Sequence, residues 1–210
     1  MDGEGCLTII IFHEVIKMSY YSSFFRAALV EINQRLVRRR ETRGILSLLH
    51  GGAKEVLEIG SNLGYLTGLI ADNGATVTGI DTNTSDLVFR VARKRNVGRN
   101  VGFGRVDALK MPFADSSFDY VVLSHVLEHF AEPEPLLKEI KRVLKKDGKG
   151  KLITVVPIEK YLGQNTRDHK LLFRSMADLR DLLQKHGFCL IESIDMKNSV
   201  ATKHSFSVKQ

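Results

Sequence analysis

Cysteine is scarce in this chain: Cys6 and Cys189 are the only two among 210 residues, they lie near opposite ends, and neither has a Cys or His neighbour at metal-ligand spacing. That excludes a disulfide framework and a zinc ribbon, and makes a reducing cytoplasm the simplest home. Tryptophan is absent, and no aromatic stacking set or RNA-binding motif accompanies the basic residues. Internal repeats, low-complexity tracts and linkers are also missing. So are long apolar runs. The run Leu7 to Phe12 is far too short to span a bilayer, and the residues before it, Met1-Asp2-Gly3-Glu4-Gly5, are acidic where a signal peptide is basic. Neither export nor membrane insertion is expected, and Met18 is an alternative start.

What remains is ordinary globular material, 43% apolar and 26% charged, enough for one central sheet covered on both faces. The formal net charge is +7, concentrated in Arg35 to Arg43, Arg90 to Arg99 and Lys138 to Lys151. Such patches attract phosphate-rich partners such as RNA, or are solvated helix faces.

Phe25, Leu29, Ile32 and Leu36 form an amphipathic stripe that predicts a leading helix from about Tyr21 to Leu49, interrupted near Gly44. From Glu55 onward, strand-type runs alternate with helix-type runs. The strands are Glu55 to Ile59, Ala75 to Ile80, Val101 to Val106, Phe118 to Leu123 and Lys151 to Val156. This alternation means parallel strands with crossover helices, and continuously apolar strands such as Tyr120-Val121-Val122-Leu123 belong in a sheet buried on both faces. One helix starts near Pro133, presents Leu136, Ile140, Val143 and Leu144, and stops at Asp147-Gly148. Another starts at Ser175, with Asp178 three residues on, and ends at Gly187. Phe188 to Met196 and Ala201 to Val208 read as a closing hairpin.

The segment Val56-Leu57-Glu58-Ile59-Gly60-Ser61-Asn62-Leu63-Gly64 is an apolar strand entering a small-residue turn that opens a helix. There a nucleotide-like ligand can approach the backbone, and free N–H groups at the helix start favour a carboxylate. A dinucleotide fingerprint would require glycine at 62 and 65, where the chain has Asn62 and Tyr65. Twenty-three residues after Glu58, Asp81 ends the second strand, where a carboxylate accepts both ribose hydroxyls or caps a helix. Asp107 follows the third strand.

Glu58, Gly60 and Gly64, with Asn62 in place of a middle glycine, resemble the E/D-x-G-x-G-x-G motif of class I S-adenosylmethionine-dependent methyltransferases. Asn is the residue other than glycine that best tolerates a left-handed backbone. Leu109 to Val122, Val126-Leu127-Glu128-His129-Phe130 and Arg142 to Gly148 resemble successive motifs of the methyltransferase type 11 family, so the likeness covers roughly Val56 to Pro157. It implies a Rossmann-like, doubly wound α/β fold: a seven-stranded, mostly parallel sheet with a C-terminal antiparallel hairpin. Residues 1–50 would form a helical extension capping the active site and 51–210 the S-adenosylmethionine-binding domain. The cofactor, S-adenosyl-L-methionine, would be held by Glu58, Gly60, Ser61, Asn62, Gly64, Asp81, Thr82, Asp107, Ala108 and Ser124, with Asp107 at the adenine.

Methyl transfer from a sulfonium is an in-line displacement that asks chiefly for alignment and exclusion of water. Where the acceptor needs a general base, His129, His125 and His169 are the candidates, with His129 favoured. His125-Val126-Leu127-Glu128-His129 formally matches the zinc-peptidase pattern H-x-x-E-H, but His125 abuts a buried strand and no metal is expected. The N-terminal helix and Pro157 to Phe173 should roof the acceptor pocket. Lacking both D/N-P-P-Y/F and Pro-Cys, the chain is not expected to methylate DNA bases. The favoured acceptor is a small or lipid-like molecule. RNA, or a catalytically inactive S-adenosylmethionine-binding protein, are the alternatives, and the protein would be a monomer or homodimer.

Overall fold

The computed structural model describes residues 5–12, 41–49, 55–82, 85–146, 148–159, 168–195 and 207–208. The chain builds strand β1 (Gly5–Phe12), helix α1 (residues 41–48), β2 (Glu55–Ile59), α2 (Tyr65–Asp72), β3 (Thr76–Asp81), α3 (Asp86–Arg95) and β4 (Val101–Arg105). It continues with β5 (Tyr120–Ser124), a single 3-10 turn (Leu127–His129), α4 (Glu134–Val143), β6 (Lys151–Pro157), α5 (Met176–Lys185), β7 (Leu190–Asp195) and β8 (Ser207–Val208).

The sheet runs in the order β4-β3-β2-β5-β6-β1-β7, with β8 beside β1. All pairs among β2 to β6 are parallel, the arrangement of a Rossmann-like α/β fold. From β2 the chain winds outward through β3 to β4, then returns to place β5 on the other side of β2. The order therefore reverses between β2 and β5, and the crevice above their C-terminal ends is where ligands bind in open α/β sheets.

Alternation along the strands sorts the core into two layers. Leu57, Ile59, Val121, Leu123 and Leu152 face one side, against Leu136, Leu137, Ile140 and Val143 of α4 and Leu179 and Leu183 of α5. Val56, Val77, Tyr120, Val122, Ile153 and Val155 face the other, against Ile45 and Leu48 of α1 and Ile70 of α2. Each fully buried Leu or Ile contributes about 1.5–3 kcal/mol.

Several local expectations need correction. Helix α1 passes through Gly44 without a break, because Ile45 and Leu48 pack at 1% and 0% exposure on either side of a helix face. Helix α4 stops at Val143, since Leu144 turns extended and bridges Phe118, with Lys145 N donating to Phe118 O at 2.9 Å. Helix α5 starts as expected, with Ser175 Oγ accepting from Asp178 N and the Asp178 carboxylate accepting from Arg174 N at 2.7 Å.

Gly5–Phe12 lies in the part of the chain expected to be helical, yet it forms a strand running parallel to both β6 and β7. Thr8, three isoleucines and Phe12 favour a pleated surface over a helix. Among the described residues the sheet thus has eight strands, where seven were expected. Of the second strand of the expected closing hairpin only Ser207–Val208 is described, and it pairs antiparallel with β1. Residues 13–40, which hold most of the leading-helix stripe, and 196–206 lie outside the described residues. Among those described, no helix is long and apolar enough to cross a membrane.

Candidate active site

Strand β2 delivers the chain into a loop with three left-handed residues in five positions: Gly60 (φ 79), Asn62 (φ 44) and Gly64 (φ 68). The Gly60 and Ser61 amides both donate to Ile80 O, at 2.8 and 3.0 Å, pinning the turn to β3. Glycine is required twice. A Cβ on Gly60 would stand 2.5 Å from Val126 Cγ2, and one on Gly64 would stand 2.7 Å from the Phe103 ring. Asn62 fills the third left-handed position, as its tolerance of that conformation suggested.

Helix α2 begins directly after Gly64 with no side-chain cap and no acidic residue in its first turn. Its positive end and unsatisfied amides are therefore open to an anionic group. The Ser61 Oγ beside it is buried and has no hydrogen-bond partner among the described residues. Glu58 is buried at 3% exposure and accepts a short hydrogen bond from Thr67 Oγ1.

The loop borders a cleft of about 800 Å³ at the strand-order reversal, lined by Glu58, Gly60, Ser61, Asn62, Ser124 and His125 together with Glu41, Thr42 and Ile45 of α1. The α1 residues, and Arg95 and Asn96 at the far end, belong to no motif, and only folding brings them here. Buried Asn96 had a readable role only after folding: its Nδ2 donates to Gly64 O at 2.9 Å and to Ala92 O at 2.8 Å, holding α3 against the loop.

The other cofactor candidates stand on the same sheet edge, outside the cleft lining. Asp81 Oδ2 accepts from Asn62 N at 2.9 Å, with Thr82 exposed beside it. Asp107 is exposed and its Oδ1 accepts from Leu109 N at 2.9 Å, so it also shapes its own turn, next to buried Ala108.

The three histidines fall into two settings. His125, left-handed at φ 56, points Nε2 at Glu41 Oε1 (3.0 Å) and Nδ1 at Glu128 Oε1 (3.4 Å). Packing around the ring works against its charge, but the two carboxylates outweigh that and hold the pKa up at about 10. It is an imidazolium at neutral pH with no lone pair to offer. His129 and His169 meet edge-on, ring centroids 5.2 Å apart. His129 is exposed, with Nδ1 3.2 Å from Asp168 O; His169 is buried, with Nδ1 3.0 Å from Glu159 Oε2.

The stretch from Leu109 to Val122 is held from α4. Arg142 donates to Met111 O (2.8 Å), Phe113 O (2.6 Å) and Asp115 Oδ1 (3.0 Å), and to both oxygens of Glu139. Asp119 accepts from Glu55 N at 3.0 Å and from Lys145 Nζ at 2.7 Å, tying the start of β2 to β5.

This architecture matches known proteins. A family model described as a methyltransferase domain covers residues 57–150. A demethylmenaquinone methyltransferase of Lactobacillus johnsonii is 32% identical over 154 residues, 60% of each chain. A ubiquinone biosynthesis O-methyltransferase of Pseudomonas fluorescens is 28% identical over 169 residues, 72% of this chain and 71% of that one. Among solved structures, phosphoethanolamine N-methyltransferase 2 of Haemonchus contortus, in complex with S-adenosyl-L-methionine, superposes with a TM-score of 0.59 at 24% identity, over 71% of this chain and 36% of that one. The chain thus spans 60% of the Lactobacillus relative's length. The glycine-turn cradle at the strand-order reversal lies within residues 57–150, the part of the chain that is similar to methyltransferase domains.

Proposed function

We propose that this protein transfers the methyl group of S-adenosylmethionine to a small-molecule acceptor. The observation that carries the reading is the left-handed Gly60-Asn62-Gly64 turn, opening onto an uncapped helix start beside the unpartnered, buried Ser61 Oγ. These groups fit an amino-acid carboxylate. In this reading Gly60, Ser61, Asn62 and Gly64 receive the methionine end, Asp81 and Thr82 the ribose, and Asp107 and Ala108 the adenine. Ser124 borders the reacting centre, and Glu58 acts from behind through Thr67. A bound sulfonium supplies an already activated methyl, so the protein's work is alignment and exclusion of water.

The segment 1–50 contributes the acceptor side through α1, whose Glu41, Thr42 and Ile45 border the cleft. His125 locks α1 to the β5 edge through Glu41 and, as a cation, is not a base. His129 and His169 are left to handle the acceptor's proton. The quinone-directed activities named for two relatives favour a small, largely apolar acceptor bearing a hydroxyl or an acidic carbon.

The net charge of +7 favours RNA as a second acceptor. Against it, Arg99, Arg105, Arg142 and Lys145 from and around the basic patches are engaged in internal ion pairs. RNA binding that weakens steeply with salt would favour that reading.

Calorimetric titration with S-adenosylmethionine and S-adenosylhomocysteine, with NAD as control, tests the cofactor. Binding of the first two alone is expected, and turnover in a screen of phenols and quinones separates an enzyme from a binding-only protein. Binding of neither overturns the reading.

A further inference from the structure

A second constellation lies just beyond the cleft. Lys170 N and Leu171 N both donate to Glu128 O, at 2.8 and 3.0 Å, zipping the segment around His169 onto the 3-10 turn that carries Glu128 and His129. One donor atom each from Glu128, His129 and His169 lies within 4.8 Å of the other two. Glu128 is fully buried, and neither of its carboxylate oxygens has a hydrogen-bond partner among the described residues. Its one charged contact, His125 Nδ1 at 3.4 Å, reaches Oε1 alone. Burying a carboxylate is costly unless cations and hydrogen bonds complete it, and with the His125 imidazolium at Oε1 alone, Oε2 is left for a further cation.

Each imidazole has one ring nitrogen engaged by a neighbour. His169 spends Nδ1 on buried Glu159, and His129 spends Nδ1 on the Asp168 carbonyl, so each has Nε2 left. A carboxylate behind a ligating histidine is the usual outer support of a metal-bound imidazole. We propose that Glu128, His129 and His169 form a binding site for a divalent first-row transition cation of the zinc type. Two imidazoles and a carboxylate suit that class, and three protein ligands leave positions open for water or an acceptor oxygen.

This is not the H-x-x-E-H arrangement written in the sequence. That pattern needs both histidines one turn apart on an α-helix, whereas here His125 is left-handed, residues 127–129 make one 3-10 turn, and His125 Nε2 is taken by Glu41. His169, from a distant segment, supplies the second imidazole. The site touches the cleft through His125, one side chain away. It does not depend on methyl transfer itself, although a bound cation would take His129 and His169 out of the role of base, and its tests do not use turnover.

The experiment is titration of chelator-treated full-length protein with Co²⁺, followed by its visible absorption, with Zn²⁺ competition. One equivalent should bind, with ligand-field bands of low coordination number that Zn²⁺ bleaches. His129→Ala and His169→Ala should abolish saturable binding, Glu159→Gln should weaken it by about 10- to 100-fold as for an outer-shell partner, and His186→Ala should leave it unchanged. Circular dichroism checks that the variants fold. Should they not, anomalous diffraction from Zn²⁺-soaked wild-type crystals decides: a peak among the three residues supports the site. No saturable Co²⁺ binding, binding undiminished in folded His129→Ala and His169→Ala, or a peak elsewhere alone overturns it.

Discussion

Replacing Gly60 with alanine tests whether the turn at the end of β2 is fixed by backbone conformation, by crowding or by both. Two costs are separable. A left-handed residue with a Cβ costs about 1–2 kcal/mol, and forcing an extra methyl against packed neighbours costs about 1–3 kcal/mol. At Gly60 both apply, because φ is 79 and the new Cβ would lie 2.5 Å from Val126 Cγ2. The sum is a loss of about 2–5 kcal/mol, from which the lower chain entropy of unfolded alanine returns at most about 1 kcal/mol. Gly98 is the internal control: its φ is 81, and an added Cβ meets nothing within 4 Å. Gly98→Ala should therefore cost about 1 kcal/mol, the conformational part alone. Urea unfolding of both variants, with Val126→Ala and the Gly60→Ala/Val126→Ala double variant, closes the cycle. The double variant should recover the crowding part and keep the conformational part. Equal losses for Gly60→Ala and Gly98→Ala, or no coupling with Val126, refute the steric reasoning.

Other outcomes follow from the same geometry. Asp81→Ala removes the acceptor of the Asn62 amide and the proposed ribose carboxylate, so calorimetry should find S-adenosylmethionine affinity down at least about tenfold, about 1.4 kcal/mol; unchanged affinity sinks the assignment. Arg142→Ala unclamps Met111, Phe113 and Asp115 at once and should lower unfolding free energy by about 2–4 kcal/mol, since hydrogen bonds to a charged group are worth about 1.5–3 kcal/mol each and are not additive. Arg142→Lys should rescue only part, a point charge being unable to fork. His125 has its folded pKa raised from 6.5 to about 10, so its stabilising contribution is complete below about pH 6.5 and is lost as pH rises toward about 10. The stability gap between the wild type and His125→Gln should therefore narrow over that range in urea titrations at successive pH values, and a gap that widens would refute the Glu41–His125–Glu128 pairing.

The parallel core was readable because buried parallel strands leave a strong local signature. Val56, Leu57, Val121 and Val122 are apolar on both faces, and Glu55–Ile59 was placed without error. The turn was readable because left-handed backbone selects Gly and Asn, so Gly60, Asn62 and Gly64 announce themselves. β1 was not, since an apolar run of its length carries no mark of whether it joins a sheet or a helix face, and nothing nearby says that its partners are β6 and β7. The histidines divided along the same line. His125, His129 and His169 were all visible as candidates, but the partners of His125 and His169 are Glu41 and Glu159, which no spacing rule links to them.

By itself, then, the sequence determined what depends on neighbours along the chain: strand and helix periodicity, the glycine turn, the start of α5 and the order of the motifs. Only the tertiary structure decided which distant groups share a buried space. It set Glu41 against His125, closed α1 over the cleft and brought His169 to Glu128 and His129. The physical reason is that conformational preference acts over a few bonds, whereas charge pairing and desolvation act between whatever side chains folding makes adjacent.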